Sequence, residues 1–336
     1  MKAALFDRIG APLVVGDVDD PKPQRGQLLL KVCRCGICGS DLHMTAEEVF
    51  GVRKGDVLGH EFSGEVVEIG GETGGLKVGD HVSVAPMRGC GHCPSCLRGE
   101  PAWCEKMTLI GGGYAQYAAV DASQCRRLPW GISPADGALA EPLAVALHGI
   151  TQSGLKPGDT VLIVGAGAIG LAVAFWARRQ GARKVVLADL SDLQAQRAMA
   201  LGATGFVVSH DDIAVQAAAA CDGRPDIVFE CVGRPGMIDH CISLVRPRGK
   251  VVVLGLCTAV DHMDSFRAIS KEVTIVMSVF FNMHEFATAI DALDSGRLTP
   301  QNLISDVVGL GDMPMAFEAL RKRTTQCKVL IDPFSE

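Results

Sequence analysis

Four cysteines crowd into RGCGHCPSCLRGEPAWCE, residues 88–105: Cys90, Cys93, Cys96 and Cys104. The spacing Cys-x2-Cys-x2-Cys-x7-Cys offers four thiolates, the full complement of a closed tetrahedral zinc, and a closed site has no position left for a substrate. The surrounding loop is rich in Gly and Pro and poor in apolar residues, so a bound ion would stabilise its fold. This pattern predicts a scaffold metal. A quieter set of ligand types is dispersed: Cys38 in GICGSDLH, His60 and Glu61 in GHE, and Glu141 in AEPLAVALH. A thiolate, an imidazole and a carboxylate drawn from separate segments suit a catalytic zinc, which needs about three protein ligands and one open position. Each also has a plainer reading, because a lone Cys is commonly a small buried hydrophobe and His60 could be a satisfied interior histidine.

A third signal is Gly165-Ala-Gly167-Ala-Ile169-Gly170, directly after the apolar run VLIV and directly before LAVAFWARRQ. A strand–glycine–helix arrangement of this kind cradles a pyrophosphate. Gly165 makes the turn, Gly167 lets backbone approach the phosphates, and Gly170 lets the helix pack on the strand. The anion would lie at a helix N-terminus, where unpaired N–H groups and the dipole favour it. The next apolar run, KVVLAD, ends in Asp189, about 20 residues past the last glycine, where a carboxylate accepts ribose hydroxyls and repels a 2′-phosphate. NAD is therefore expected over NADP. Val232 in ECVG and Gly255 in VVVLGL, both following strand-like runs, are weaker candidates for cofactor contact.

The elements that must position these residues change character along the chain. Residues 1–130 read as short alternating β segments broken by Gly, Pro and Asp: LLLKVCRCGIC, SGEVVEIGG, HVSVAPM and YAQYAAVD. From about residue 132 a helical stretch leads into a strand–helix rhythm with six apolar strands, from VLIVG to VTIVMSV, which calls for a doubly wound parallel sheet covered on both faces. After about residue 282, HEFATAIDALDSG and MPMAFEALRKR read as amphipathic helices and CKVLIDP as a last strand rejoining the first domain. The expected division is 1–142 for a β-rich catalytic domain with its lobe at 88–105, 143–282 for the nucleotide domain, and 283–336 for the return, with a cleft between the two domains.

Composition bounds the function. At 336 residues the chain exceeds one ordinary core, and with 48% hydrophobic and 21% charged residues disorder is not expected. A net charge of −6, without a sustained Lys/Arg run, argues against nucleic acid. No apolar stretch reaches the ~18 residues of a membrane span, and MKAALFDRIGAPLVVGD lacks a signal-peptide pattern, so a cytoplasmic protein without membrane contact is expected. The 13 cysteines, an odd number, favour metal ligation or burial over a disulfide framework. Those outside the metal sets, among them Cys33, Cys35, Cys231 and Cys257, read mostly as core.

GICGSD, GHEFSG, the four-cysteine lobe and GxGxxG, in this order and over essentially the whole chain from MKAALF to KVLIDP, resemble the zinc-dependent medium-chain dehydrogenase/reductase family. The GHE pair, AEP and the absence of a long insert resemble its sorbitol, threonine and butanediol dehydrogenase branch. The resemblance implies a GroES-like catalytic domain beside a Rossmann domain. It also implies two zinc ions per chain, one structural on the four-cysteine lobe and one catalytic. Cys38 and His60 would be ligands of the catalytic zinc, Glu61 the adjoining acidic ligand or water-mediated partner, and Glu141 the acid that binds or swings onto the metal. Ser40 and His43 would relay a proton from the substrate oxygen towards solvent, and Asp41 would hold an imidazole or the loop. Where relatives often carry an Arg that packs on the adenine, this sequence has Gln194, with Arg197 nearby.

The implied activity is NAD-dependent oxidation of a secondary alcohol or polyol to the ketone, reversible, in a homodimer or homotetramer with VTIVMSV as a contact edge. Two other readings compete: an NAD-binding structural or regulatory protein without turnover, and a zinc-independent quinone or enone reductase. The ligand set argues against both. The segment MTAEEVFGVRKGDVLG, with Phe50, Leu109, Phe280 and Phe281, hints at an apolar pocket wall, while Glu47 and Glu48 read as a solvated helix face. A hydrophobic or cyclic alcohol, a polyol and an amino-alcohol all remain open as substrates.

Overall fold

A computed structural model describes residues 1–209, 212–294, 298–322 and 325–335. The chain opens with an antiparallel ribbon, β1 (Lys2–Leu5) and β2 (Val14–Asp17). Strand β3 (Gln27–Gly36) runs into the short helix α1 (Gly39–Met44), followed by β4 (Glu61–Ile69) and β5 (His81–Val84). A two-residue ribbon, β6 (Met87–Arg88) with β7 (Thr108–Leu109), closes the base of the four-cysteine lobe, which holds α2 (Pro94–Leu97). Strands β8 (Tyr117–Asp121) and β9 (Cys125–Arg127) precede a 3-10 turn at Pro134–Leu139 and helix α3 (Ala140–Ser153).

The strand–helix rhythm read from the sequence then runs through β10 (Thr160–Val164), α4 (Ala168–Arg179), β11 (Lys184–Asp189), α5 (Ala195–Ala200) and β12 (Gly205–Val208). It continues with α6 (Ile213–Ala220), β13 (Ile227–Glu230), α7 (Met237–Leu244), β14 (Lys250–Val253), α8 (Ser265–Ser270) and β15 (Thr274–Met277). The tail comprises α9 (Met283–Asp291), β16 (Ile304–Gly309), α10 (Met313–Ala319) and β17 (Lys328–Asp332).

Two compact units result: Met1–Glu141 with Asn282–Ser295 and Ile304–Glu336, and Pro142–Phe281 with Gly296–Leu303. The last of these segments departs from the expected return of all residues after 282, because the 3-10 turn Pro300–Leu303 packs on α4 and α5. In the first unit a seven-stranded sheet runs β16-β17-β3-β4-β5-β9, with β8 also on β3. Leu28, Leu30 and Val32 of β3 are fully buried and alternate with more exposed neighbours, the period of a half-covered strand. The sequence reading missed β16, whose ISDVVG carries two polar residues near its start; it pairs in parallel with β17 through a register irregularity.

In the second unit six parallel strands are ordered β12-β11-β10-β13-β14-β15 among the described residues. All five residues of β10 are buried, as a central strand covered on both faces requires. The order reverses between β10 and β13, which makes the carboxyl ends of these strands a topological switch point. No helix among the described residues is long and apolar enough to cross a membrane.

The β10–α4 turn tolerates little change. A Cβ on Gly170 would lie 1.9 Å from the carbonyl oxygen of Gly165, a backbone atom that cannot step aside. Gly170→Ala is expected to cost about 2 kcal/mol in urea unfolding; unchanged stability would contradict this packing.

Candidate active site and metal centres

Pairing of β3 with β4 sets Gly36 opposite Glu61 and Cys35 opposite Phe62, and β17 sets Leu330 opposite Gly36 from the other side. Cys38, two residues past β3, thus meets the His60–Glu61 corner. One ligand atom from each of Cys38, His60 and Glu61 falls within 4.8 Å of the other two. Cys38 is the N-cap of α1, and its backbone N–H donates to Asp41 Oδ2 (3.2 Å). Ser40 Oγ lies 3.2 Å from Cys38 Sγ and donates to it.

Asp41 is the organising acid behind this corner. Its Oδ1 lies 3.2 Å from His60 Nδ1, and its Oδ2 accepts the Tyr114 hydroxyl at 2.5 Å. Holding Nδ1 leaves Nε2 as the ring atom for a metal, the orientation that a carboxylate behind a ligating histidine provides. Burial opposes a charge on both partners. The Asp41 carboxylate and Cys38 thiolate nevertheless hold the His60 imidazole well above its ordinary value, and His60 with the Tyr114 hydroxyl holds Asp41 below the usual carboxylate range. The expectation that Asp41 steadies an imidazole matches this contact.

The sequence reading missed Lys328. This residue is 2% exposed, and its Nζ donates to both oxygens of Glu61 (2.7 and 2.6 Å) and to the Ile37 carbonyl (3.1 Å). Burial disfavours the ammonium, but Glu61 and Cys38 outweigh it and raise the Lys328 pKa. The fit depends on a missing side chain, since a Cβ on Gly36 would lie 2.1 Å from Glu61 Oε2. Lys328 follows Cys327 at the start of a strand that reads as plain β core, so only the pairing of β17 with β3 exposes its role. The glycine before ICGSD was the available hint.

Glu141, in the first turn of α3, is also buried but lies outside the 4.8 Å grouping of Cys38, His60 and Glu61. Burial, reinforced by Glu61 and Asp41 and opposed by His60 and Lys328, pushes its carboxyl up to about 7. Glu48 is exposed, as a solvated face requires, while Glu47 is half-buried beside His43. The His43 Nδ1 lies 2.8 Å from Glu47 Oε1, so Glu47, expected only as an exposed charge, partners the imidazole.

The four sulfurs of Cys90, Cys93, Cys96 and Cys104 also gather within 4.8 Å. Backbone N–H groups of Cys90 and Lys106 each donate to Cys104 Sγ at 3.4 Å, a pattern that favours thiolates. Both clusters fit a zinc ion by donor type, number and mutual reach. Of the other cysteines, Cys35, Cys125, Cys221 and Cys241 are buried as expected, whereas Cys33, Cys231, Cys257 and Cys327 are only half-buried. Phe281 is completely enclosed and does not contribute to an accessible apolar wall, whereas Leu109, on the β6–β7 ribbon, is exposed.

In the second unit, Gly165 takes φ +101° and Gly167 caps α4, whose second and third residues are Ile169 and Gly170. Asp189 closes β11. Its Oδ2 accepts the Ala166 N–H inside the glycine loop and its Oδ1 accepts the Leu190 N–H, both at 2.6 Å. The acid is therefore fixed at the mouth of the loop. Gln194 is buried and takes Arg197 Nη1 on its Oε1, while Arg197 Nε donates to the Asn302 carbonyl (2.9 Å). Arg197 is thus committed to its own unit. Val232 and Gly255 follow β13 and β14, at the carboxyl edge of the same sheet.

Comparison with known proteins accords with this architecture. The alcohol dehydrogenase GroES-like domain family matches residues 24–130 and the zinc-binding dehydrogenase family residues 168–295. The chain is 28% identical over 344 residues to the sorbitol dehydrogenase of Bacillus subtilis strain 168, covering 99% of this chain and 97% of that one. It is 33% identical over 329 residues to the L-threonine 3-dehydrogenase of Pyrococcus horikoshii, covering 94% and 93%. A solved structure of a candidate zinc-binding dehydrogenase from Sinorhizobium meliloti 1021, bound to NADP, superposes with a TM-score of 0.89 at 32% identity over 99% of both chains. Zinc and a nicotinamide dinucleotide are accordingly the cofactors of the fold and of its donor sets. The chain is an oxidoreductase and belongs to the zinc-type medium-chain dehydrogenase/reductase family.

Proposed function

We propose that the protein is an NAD-dependent, zinc-dependent dehydrogenase that oxidises a secondary alcohol or polyol to the ketone, reversibly. The observation that carries this reading is the convergence of Cys38, His60 and Glu61 in one corner, with Asp41 behind the imidazole. A non-catalytic NAD-binding module has no need of such a corner. The first unit is the catalytic domain, with the dispersed set as its catalytic zinc site and the lobe cysteines as a second, structural zinc site. The second unit is the NAD-binding domain.

When bound, the zinc supplies Lewis-acid polarisation of an alcohol oxygen and the nicotinamide supplies hydride acceptance. The chain supplies position and proton traffic. Cys38 Sγ and His60 Nε2 would hold the metal, and Asp41 with Tyr114 fixes the imidazole plane. Glu61 remains on Lys328, which offsets its charge, and this leaves Glu141 as the carboxylate for exchange at the metal. Ser40 Oγ, beside Cys38 Sγ, takes the proton from the substrate hydroxyl. Ser40 gives up its own proton in turn, and His43 accepts it at Nε2, its Nδ1 being engaged with Glu47 Oε1, before release to solvent. The Asp189 carboxylate, held at the glycine loop, accepts ribose hydroxyls and disfavours a 2′-phosphate, hence NAD over NADP.

Assembly as a homodimer or homotetramer is supported by the edge strand β15. There and on neighbouring α8, Met277, Ile269 and Phe266 are 68%, 72% and 79% exposed, an apolar edge that a second copy would cover. An odd count of 13 cysteines, five of them in the two metal sets, supports a reducing, cytoplasmic setting.

A dehydrogenase screen with NAD and NADP in parallel, against polyols, cyclic and aliphatic secondary alcohols and threonine, tests the activity. NADH production with at least one secondary alcohol is expected, and no turnover with any of them would favour the non-catalytic reading. Cys38→Ser should abolish turnover and leave NAD binding largely intact, whereas Cys96→Ser should lower the melting temperature. Loss of stability from both substitutions alike would contradict the division of roles. Lys328→Met strands a buried carboxylate and is expected to cost about 3 kcal/mol in denaturant unfolding. The double change with Glu61→Gln should recover part of that loss, and no recovery would contradict the pairing.

A further inference from the structure

Strand β13 ends in a second buried acid that the reading above does not use. Glu230 is 1% exposed. Its Oε1 accepts the backbone N–H groups of Val232 (2.7 Å) and Gly233 (2.9 Å), and its carbonyl oxygen accepts those of Leu254 (2.9 Å) and Gly255 (3.0 Å). Glu230 Oε2 packs where a side chain on residue 255 would stand, since a Cβ on Gly255 would lie 2.4 Å from it. Among the described residues no Lys, Arg or His forms an ion pair with this carboxylate; its partners are backbone amides. A charge buried in this way is costly unless something else compensates it. Its field also reaches its surroundings: burial, reinforced by Glu230, pushes the Cys241 thiol well up.

The place of this acid gives it a further role. A dinucleotide seated on the glycine loop crosses the switch point between β10 and β13. Asp189, on the β11 side, takes the adenosine ribose, so the other half of the cofactor extends towards the ends of β13 and β14. That half changes charge in the reaction: the oxidised pyridinium ring is a cation, and hydride transfer leaves it neutral.

We propose that Glu230 biases this site towards the oxidised cofactor, its buried carboxylate supplying a fixed negative field on the side where the nicotinamide lies. The inference rests on the nicotinamide reading above and adds a determinant of reaction direction. Loss of the charge would weaken NAD+ relative to NADH, while loss of the loop's hydrogen bonds would weaken both alike.

The test measures dissociation constants of NAD+ by calorimetry and of NADH by its fluorescence, on the full-length zinc-loaded protein. Wild type is compared with Glu230→Gln, Glu230→Asp and Glu230→Ala. Glutamine is isosteric and can still accept both N–H groups, yet carries no charge. It is expected to raise the NAD+ constant about tenfold relative to that of NADH, the scale of a single charge acting at a partly buried site. Aspartate keeps the charge and should keep the wild-type ratio even if both affinities fall. Should the glutamine variant not fold, the alanine variant carries the same comparison, because a ratio is insensitive to damage shared by both ligands. An unchanged ratio in the neutral variants, or equal weakening of both ligands, overturns the inference and leaves the nicotinamide reading standing. Failure of the wild type to bind either ligand overturns both.

Discussion

A buried carboxylate needs a partner, and the first unit is built around that need at Glu61. Lys328, 267 positions away in sequence, reaches it through the pairing of β17 with β3, and both side chains are nearly excluded from solvent. The ammonium also takes the Ile37 carbonyl, so the chain just before Cys38 is tied to the same point. Gly36 contributes by having no side chain where the carboxylate lies. On the other flank, Asp41 ties His60, Tyr114 and the Cys38 amide together. The metal corner is therefore held by two buried acids, each compensated from a different element. A metal site needs such outer contacts as much as its ligands, because they fix which atom of each ligand faces the ion.

The same economy recurs in the second unit. Asp189 holds the glycine loop through Ala166, and Glu230 holds the loops after β13 and β14 through Val232, Gly233 and its own carbonyl. Carboxyl ends of parallel strands leave backbone amides without ladder partners, and acids at the strand ends satisfy them. Function can then use the charge that structure has already required.

Much of this was legible in the sequence because it is local. The cysteine spacing, the glycine loop and the terminal Asp of KVVLAD are short patterns whose mechanics do not depend on distant residues. The apolar runs of the parallel strands are likewise continuous enough to read. What escaped was non-local. Lys328 sits in an ordinary strand sequence, and its meaning appears only when β17 lies beside β3. Glu230 reads as the end of an apolar run, and Glu47 as one of two exposed acids until α1 turns His43 towards it. Gln194, noted as a departure, proves to be paired with Arg197. Edge strand β16 was missed because its pattern is short and partly polar, so that only pairing with β17 defines it.

The central claim is a division of labour between two sites: a closed set of four thiolates that supports a lobe, and an open corner of Cys38 and His60 with a nearby acid that performs the chemistry. Anomalous diffraction at the zinc edge, on crystals of the protein grown with zinc, tests it most directly. The account predicts two peaks per chain, one centred on Cys90, Cys93, Cys96 and Cys104, and one bound by Cys38 and His60 with a non-protein position open. A single peak at the lobe, or a second peak away from Cys38 and His60, would contradict it.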